Sequence, residues 1–363
     1  MKAGDVVNGY TILRDFSVVG AGLSKWTFAE RGGREFFIKE FLSPTYPDDA
    51  APGSAKIKAK KRARCAVFEA HHRGMQTALA PLSAYGGNLI VTLDFFRAGA
   101  KYYKVTEKVD AEELDAPAIA ALDLRLQLIL MKSVAHSLKI LHDLRIVHGD
   151  LKPSNVLVKR TELGYTSKLI DFDSSYIAGN PPPPEEIVGT INYYSPELLG
   201  YIQEAGVAPA QLGVASDVFA LGLIFTEFLT GAPPPFDAPT FHEPAVAVRS
   251  GAVLRVPRAG VRSELADLVD QMLAADPIQR PTIARVHATL MAIRPAADAV
   301  PPPSTTGALR GRGLRGTGVS STAASPPAAP PTPAPPPAPA APVRTTGRLV
   351  GKLISKLTDR ARR

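Results

Sequence analysis

The chain has 363 residues, a formal charge of +8, 34 prolines and one cysteine. This length is enough for one large or two ordinary domains, and the single Cys65 excludes an intrachain disulfide and a cysteine-based metal cluster. The longest apolar run, residues 218–229, is well short of the roughly 20 residues that cross a bilayer, and the first residues carry acids rather than a secretory signal. We therefore expect a cytoplasmic protein.

The positive charge is confined to the last part of the chain. Residues 296–363 hold ten basic and two acidic residues, which leaves 32 of each sign in residues 1–295. A net charge of zero in the larger part gives no general basic surface for nucleic acid, so we expect no specific nucleic-acid partner.

The first hundred residues show strand periodicity interrupted by one helix. Predicted strands cover residues 10–16, 25–30, 35–40, 89–96 and 102–108, and the predicted helix covers residues 55–79. From residue 118 onward the pattern is mostly helical, notably at 122–144 and 265–273, and the apolar run 218–229 predicts a buried helix. This order predicts an α+β fold in which a sheet-containing part precedes a helical part.

Two segments carry groups suited to phosphoryl transfer: IVHGDLKPSNVLV, residues 146–158, and KLIDFDSSY, residues 168–176. In these segments Asp150 lies five residues before Asn155, and Asp171 follows an apolar strand. Carboxylate and carboxamide oxygens are ligands for a hard ion such as Mg²⁺. Phosphoryl transfer requires such an ion and a carboxylate that accepts a hydroxyl proton.

At this point the sequence resembles the protein-kinase superfamily. HGDLKPSN resembles its catalytic loop H-R-D-L-K-P-x-N, and DFD resembles its metal-binding D-F-G motif. The resemblance implies that Asp150 is the catalytic base, that Lys152 neutralises the transferring phosphoryl group, and that Asn155 and Asp171 hold Mg²⁺.

The resemblance extends through the helical part. GTINYYSPELL, SDVFALG and DPIQRPT follow in the order of the family's later motifs. The likeness implies a buried ion pair between Glu197 and Arg280, and it implies that Asp217 holds the catalytic-loop backbone. It predicts a two-lobed kinase domain over residues 1–295, with an N-lobe to about residue 109 and a C-lobe from about residue 110.

The nucleotide side of an ATP site is also present. In the family's pattern, Lys39 of FFIKEF would reach the α- and β-phosphates, and Glu69 of CAVFEAHH would be its partner. The segment VVGAGLSKWTFA would cover the phosphates through Gly20 and Gly22, because glycines let backbone N–H groups approach closely. Glu107 and Val109 resemble the hinge that binds the adenine.

Lys25 stands at the family's third glycine position, and two further departures bear on regulation. Gly149 stands where many kinases have an arginine that senses a phosphorylated activation loop. Asp173 replaces the glycine of D-F-G and would either restrict Phe172 or help to bind a metal. The H-G-D and D-F-D pair is similar to bacterial Hanks-type Ser/Thr kinases that occur with a cognate protein phosphatase, so such a phosphatase is a predicted partner.

Composition changes sharply near Arg294. Residues 296–347 are rich in Pro and Ala and predict a disordered linker, because they contain too few large apolar side chains to form a core. Residues 348–363 predict a basic amphipathic helix that would bind an anionic membrane surface or an acidic partner, which would place the protein peripherally at the membrane. The motif Thr-Thr-Gly-x-Leu-x-Gly-basic occurs twice, beginning at Thr305 and at Thr345. The repeat is either a chance product of the low-complexity composition or a pair of equivalent phosphorylation or docking sites.

The predicted function is a Ser/Thr protein kinase that transfers the γ-phosphate of ATP to protein hydroxyls, its own among the candidates. Two alternatives stay open. One is a pseudokinase that binds nucleotide and scaffolds partners. The other is a small-molecule kinase of the aminoglycoside or choline type, which the H-G-D-x-x-x-x-N pattern also resembles.

Overall fold

A computed structural model describes residues 1–18, 24–48, 52–85, 87–162, 164–294 and the backbone of residues 345–346. Within these ranges no helix is both long enough and apolar enough to cross a bilayer. Gly20, Gly22, the predicted helix 348–363 and nearly all of the predicted linker lie outside the described residues.

Among the described residues, a seven-stranded antiparallel sheet forms the amino-terminal part. Its strands are β1 (Val6–Val7), β2 (Tyr10–Ile12), β3 (Ser17–Val18), β4 (Ser24–Arg31), β5 (Arg34–Phe41), β6 (Thr92–Ala98) and β7 (Lys101–Glu107). The spatial order is β1-β2-β4-β5-β7-β6, with β3 also paired to β4. Gly32 and Gly33, with φ of 63° and 75°, close the two-residue turn between β4 and β5, where a positive φ matches the twist of the strands.

The register of the sheet sets the position of a charged pair. Lys39 in β5 lies directly opposite Lys104 in β7. Side chains that are directly opposite on neighbouring strands lie on the same face of the sheet. Both lysines are nearly buried, so each ammonium group requires a carboxylate partner nearby.

Helix α1 (Ala55–Leu79) has the bounds that the sequence predicts. Ser54 caps it, because its side chain accepts a hydrogen bond from the backbone N–H of Ile57 at 3.3 Å. The helix contacts β6 and contributes Phe68 to an aromatic cluster, with ring centroids 5.1 Å from Phe41 and 5.2 Å from Tyr102.

One predicted strand, residues 89–96, is wrong at its start, because β6 begins only at Thr92. The residues before it pair elsewhere: the N–H of Ile90 donates to the carbonyl of Leu169 at 2.9 Å, and the N–H of Leu169 donates to the carbonyl of Asn88 at 2.6 Å. Similarly, β2 ends at Ile12 rather than at Phe16.

The rest of the described chain is mainly helical. Its helices are α2 (Ala116–Ala120), α3 (Leu124–Asp143), α4 (Pro196–Ile202), α5 (Ala215–Thr230), α6 (Ala238–Phe241), α7 (Pro244–Arg249), α8 (Ser263–Met272) and α9 (Ile283–Ala292). Short antiparallel pairs join β8 (Ile146–Val147) to β11 (Tyr176–Ile177), β9 (Val156–Thr161) to β10 (Gly164–Leu169), and β12 (Val188–Gly189) to β13 (Thr345–Thr346).

The core of this helical part lies around α3 and α5. Helix α5 is buried along almost its whole length, as the apolar run predicts, and it contacts α2, α3 and α8. Sheet followed by helices is the order that the sequence predicts. The α+β, two-lobed prediction is confirmed.

A buried ion pair joins α4 to the segment before α9. Arg280 Nη1 donates to Glu197 Oε1 at 2.7 Å, and Nη2 donates to Oε2 at 2.9 Å. The guanidinium also donates to the carbonyls of Ala215 and Ala274, at 2.9 and 2.8 Å. The pair implied by the family resemblance is therefore confirmed, and it satisfies donors that would otherwise be buried without partners.

Substitution Glu197→Gln should lower the free energy of unfolding by about 3–5 kcal/mol, because it leaves the buried Arg280 guanidinium without its counter-charge. Asp267→Asn is the matched control, since Asp267 pairs with Arg258 at 2.8 Å on the surface and the change should cost less than about 1 kcal/mol. Urea denaturation of both variants checks this. Equal midpoints for the two would contradict the expectation.

Candidate active site

The segment between β8 and β9 is held by a carboxylate from α5. Asp217 Oδ2 accepts a hydrogen bond from the N–H of His148 at 2.7 Å, and Oδ1 accepts one from the N–H of Gly149 at 3.1 Å. Asp217 Oδ2 also lies 3.0 Å from His142 Nε2. The predicted role of Asp217 in holding the catalytic-loop backbone is confirmed.

Gly149 fits this loop for a conformational and a steric reason. Its φ of 79° lies in the left-handed region, and a Cβ added to it would overlap the backbone oxygen of Ser174. An arginine at this position would meet both penalties, so in this conformation the loop requires glycine.

The predicted catalytic base is buried and held at both of its oxygens. Asp150 Oδ1 accepts from the N–H of Thr190 at 2.9 Å, and Oδ2 accepts from Lys152 Nζ at 2.9 Å. Lys152 Nζ also donates to Thr190 Oγ1 at 2.9 Å. These bonds fix the carboxylate and place a positive charge beside it.

Asn155 joins the base to the strand that carries the second predicted metal ligand. Its Nδ2 donates to the backbone oxygen of Asp150 at 2.7 Å, and its own carbonyl accepts from the N–H of Ile170 at 3.0 Å. His148 Nε2 lies 3.0 Å from the carbonyl of Ile170. Burial lowers the pKa of His148 despite the neighbouring Asp217, so a neutral imidazole donates from Nε2 to that carbonyl.

A cluster of four charges lies where the sheet meets the segment after β10. We call Lys39, Lys104, Asp171 and Asp173 the charge cluster. Lys39 Nζ lies 3.0 Å from Asp171 Oδ1 and 2.6 Å from Asp173 Oδ2. Lys104 Nζ lies 3.4 Å from Asp171 Oδ1 and contacts Asp173 Oδ1 directly. Two ammonium groups and two carboxylates make the cluster formally neutral.

The two lysines of the cluster stabilise the ionised form of Asp173. Burial alone would raise the pKa of Asp173, but the Lys104 and Lys39 ammonium groups hold it below its usual value. The neighbouring His72 contributes no charge near neutral pH, because burial lowers its pKa to about 3.

Glu69 lies in α1 but has a different hydrogen-bond partner from the predicted one. Its Oε1 accepts from the hydroxyl of Tyr102 at 2.6 Å. Among the described residues, the ion pairs of Lys39 are with Asp171 and Asp173, and a pair with Glu69 is not formed. The structure thus brings Lys39 to Asp171 and leaves Glu69 with the aromatic cluster.

The predicted hinge lies at the end of β7. Glu107 is the last residue of the strand and is exposed, and Val109 follows it. Between them Lys108 Nζ lies 2.6 Å from Glu35 Oε2, which ties the hinge to β5. The roles of Glu107 and Val109 in nucleotide binding stay predictions.

The donor set suits a hard metal ion. Within the described ranges, no three His, Cys, Asp or Glu side chains converge as a metal site. The ligands that the family resemblance predicts are the Asn155 carboxamide and the Asp171 carboxylate. Asn155 uses Nδ2 as a donor to Asp150, so its side-chain oxygen is the atom that would bind the predicted metal ion. Asp171 has φ of 65°, a left-handed conformation that is rare outside glycine and often found at functional sites.

Lys104 is the residue that sequence reasoning missed. A signal was available, because Lys104 interrupts the apolar strand YYKVT and lies two residues before Thr106, hence on the same face of β7. A charged side chain in a buried strand requires a counter-charge, and the sequence left the role of Asp173, in the D-F-D motif, open between two alternatives.

A family model described as the protein kinase domain matches residues 58–290, nearly two thirds of the chain. The chain belongs to the protein kinase family. A protein kinase domain uses ATP and a divalent metal ion and acts on protein substrates. The match begins after Lys39, so the assignment of that lysine depends on the geometry above.

Curated relatives agree with the family. A calcium and calcium/calmodulin-dependent serine/threonine-protein kinase of Lilium longiflorum is 33% identical over 154 residues, 42% of this chain and 28% of the relative. Serine/threonine-protein kinase mph1 of Schizosaccharomyces pombe is 31% identical over 175 residues, which cover 42% of this chain and 25% of the relative. Mitogen-activated protein kinase kinase kinase 5 of Homo sapiens is 35% identical over 126 residues, which cover 34% of this chain and 8% of the relative.

The chain thus spans less than a third of each of these relatives. All three come from eukaryotes, so the similarity to bacterial kinases stays a prediction.

The substitution Gly149→Ala should destabilise the fold more than Gly206→Ala does. Both glycines have φ near 78°, but nothing lies within 4 Å of a Cβ at Gly206. Gly206→Ala should therefore lower the free energy of unfolding by roughly 1–2 kcal/mol, the cost of a left-handed backbone at alanine. Gly149→Ala should lower it further, because its Cβ would also overlap the backbone of Ser174. Thermal unfolding of both variants measures the difference. Equal shifts in Tm would show that the space around Gly149 does not matter.

Proposed function

We propose that this chain is a serine/threonine protein kinase that transfers the γ-phosphate of ATP to protein hydroxyls, with Mg²⁺ as its metal ion. The observation that carries the proposal is the arrangement around Asp150. One oxygen of its carboxylate faces the N–H of Thr190 and the other faces Lys152, while Asn155 holds its backbone.

In the proposed reaction Asp150 accepts the proton of the acceptor hydroxyl. Lys152 and the N–H of Thr190 keep the carboxylate oriented, and the ammonium of Lys152 would offset negative charge on the transferring phosphoryl group. Lys39 would bind the α- and β-phosphates. Asn155 and Asp171 would hold Mg²⁺, which when bound would neutralise phosphate charge.

A protein acceptor is favoured over a small molecule by two observations. The curated relatives reported above are protein kinases by name. The buried Glu197–Arg280 pair also holds the segment GTINYYSPELL, which resembles the peptide-docking segment of protein kinases.

The variants Asp150→Asn and Lys39→Met should lower phosphate transfer from ATP and Mg²⁺ to casein by at least about 100-fold, because they remove the proton acceptor and a phosphate ligand. Asp143→Asn is the matched control, since Asp143 is an exposed carboxylate that pairs with Lys139 on the same helix. Labelled ATP measures transfer. Activity retained by Asp150→Asn would contradict the mechanism.

The same assay separates the alternatives. Thermal stabilisation by ATP without transfer to any acceptor would support the pseudokinase. Transfer to an aminoglycoside or amino alcohol, but never to protein, would support the small-molecule kinase.

We also propose that the chain phosphorylates itself at the second Thr-Thr-Gly copy. The backbone of Thr345–Thr346 pairs with β12 in antiparallel register, Gly189 opposite Thr345 and Val188 opposite Thr346. Neighbouring strands lie about 4.8 Å apart. Thr190 follows β12 and its N–H binds Asp150, so the pairing of Thr345 and Thr346 with β12 supports a reaction with the proposed base.

Phosphosite mapping should find phosphate at Thr345 or Thr346 in the wild type and none in Asp150→Asn. Alanine at both positions should remove this signal, whereas alanine at Thr305 and Thr306, in the other copy, should leave it. An intramolecular reaction should also proceed at a rate independent of protein concentration. Equal labelling of both copies would contradict selection by the pairing with β12.

A further inference from the structure

Lys39 needs a carboxylate that holds it while Asp171 binds the metal ion. The proposed function assigns Asp171 to Mg²⁺, so its contact with Lys39 cannot be the lasting one. Two other acidic residues are candidates: Glu69 on α1, which the family's pattern favours, and Asp173 in the D-F-D motif.

Distances favour Asp173. Its Oδ2 lies 2.6 Å from Lys39 Nζ, closer than either oxygen of Asp171. Its other oxygen contacts Lys104, so one carboxylate bridges two lysines that are themselves opposite on neighbouring strands. A carboxylate bound at both oxygens has little freedom to turn away.

Glu69 is held elsewhere. The Tyr102 hydroxyl donates to its Oε1 at 2.6 Å, and Tyr102 packs within the aromatic cluster against Phe68 and Phe95. A move of Glu69 Oε1 to Lys39 would break this hydrogen bond to a buried tyrosine.

Charge balance gives the same answer. The charge cluster pairs two ammonium groups with two carboxylates, and loss of the Asp173 charge would give the cluster a net charge of +1. Helix α1 is also joined to the D-F-D motif, since His71 Nε2 lies 3.3 Å from the backbone oxygen of Asp173.

We infer that Asp173, held by Lys104, is the residue that positions Lys39 for phosphoryl transfer, in the place that the family's pattern gives to Glu69. Asp173 is a positioning residue that acts through Lys39, and Lys104 acts through Asp173. The inference deepens the proposed function and depends on it.

Asp173→Asn and Glu69→Gln form a matched test, because each removes one negative charge with almost no change of shape. In the full chain with casein, ATP and Mg²⁺, Asp173→Asn should lower kcat at least tenfold, and Glu69→Gln should lower it less. Asp173→Glu should recover part of the loss, which a merely structural role would not predict. A loss in Glu69→Gln equal to or greater than that in Asp173→Asn would overturn the inference.

Asp173→Gly is a second variant, and it restores the family's D-F-G. Glycine is compatible with any backbone conformation at this position. The family's pattern predicts a fully active enzyme, whereas our inference predicts the same tenfold loss of kcat. Lys104→Met should also lower kcat, and the double variant with Asp173→Gly should be no worse than the poorer single variant, because the two residues act in series. Losses that multiply in the double variant would contradict this.

The two proposals fail differently. If the wild type transfers no phosphate to any protein, the proposed function fails. If the wild type is active and Asp173→Asn and Asp173→Gly stay within threefold of it, only the role of Asp173 fails.

Discussion

Two buried lysines and two carboxylates connect the sheet to the segment that follows β10. Lys39 and Lys104 come from neighbouring strands, and Asp171 and Asp173 come from a single short turn. Burial of each charge would destabilise the fold if no opposite charge were in contact with it. The position of the predicted metal ligand Asp171 therefore depends on this interaction, and so does the orientation of the lysine that would meet the phosphates.

The carboxylate of Asp217 stabilises the other half of the site in a similar way. Asp217 binds two successive backbone N–H groups of the catalytic loop from the buried helix α5. The apolar packing of α5 thus fixes the loop that carries Asp150. Thr190 then ties the segment after β12 to the proposed base, because its N–H binds Asp150 and its hydroxyl accepts from Lys152. The base, the loop and the segment that would dock a substrate form one connected network.

Much of this could be predicted from residue order. HGDLKPSN and DFD place a base, a lysine and metal ligands at fixed spacing, and the structure brings Asp150, Lys152 and Asn155 together as expected. The helix over 55–79 and the buried helix over 218–229 follow from periodicity. Residues 89–91 could not be assigned this way, because their backbone pairs with Leu169, nearly 80 positions away, and local pattern does not report such a partner.

The sequence by itself determined the family and the order of sheet and helices, and it named the candidate groups for phosphate transfer, because these depend on residue type and spacing. Only the tertiary structure decided which carboxylate meets Lys39. Glu69 and Asp173 are both acidic residues far from Lys39 in the chain, and the choice depends on strand register and on the hydroxyl of Tyr102. Register is a property of pairing between distant segments, which spacing along one segment does not contain.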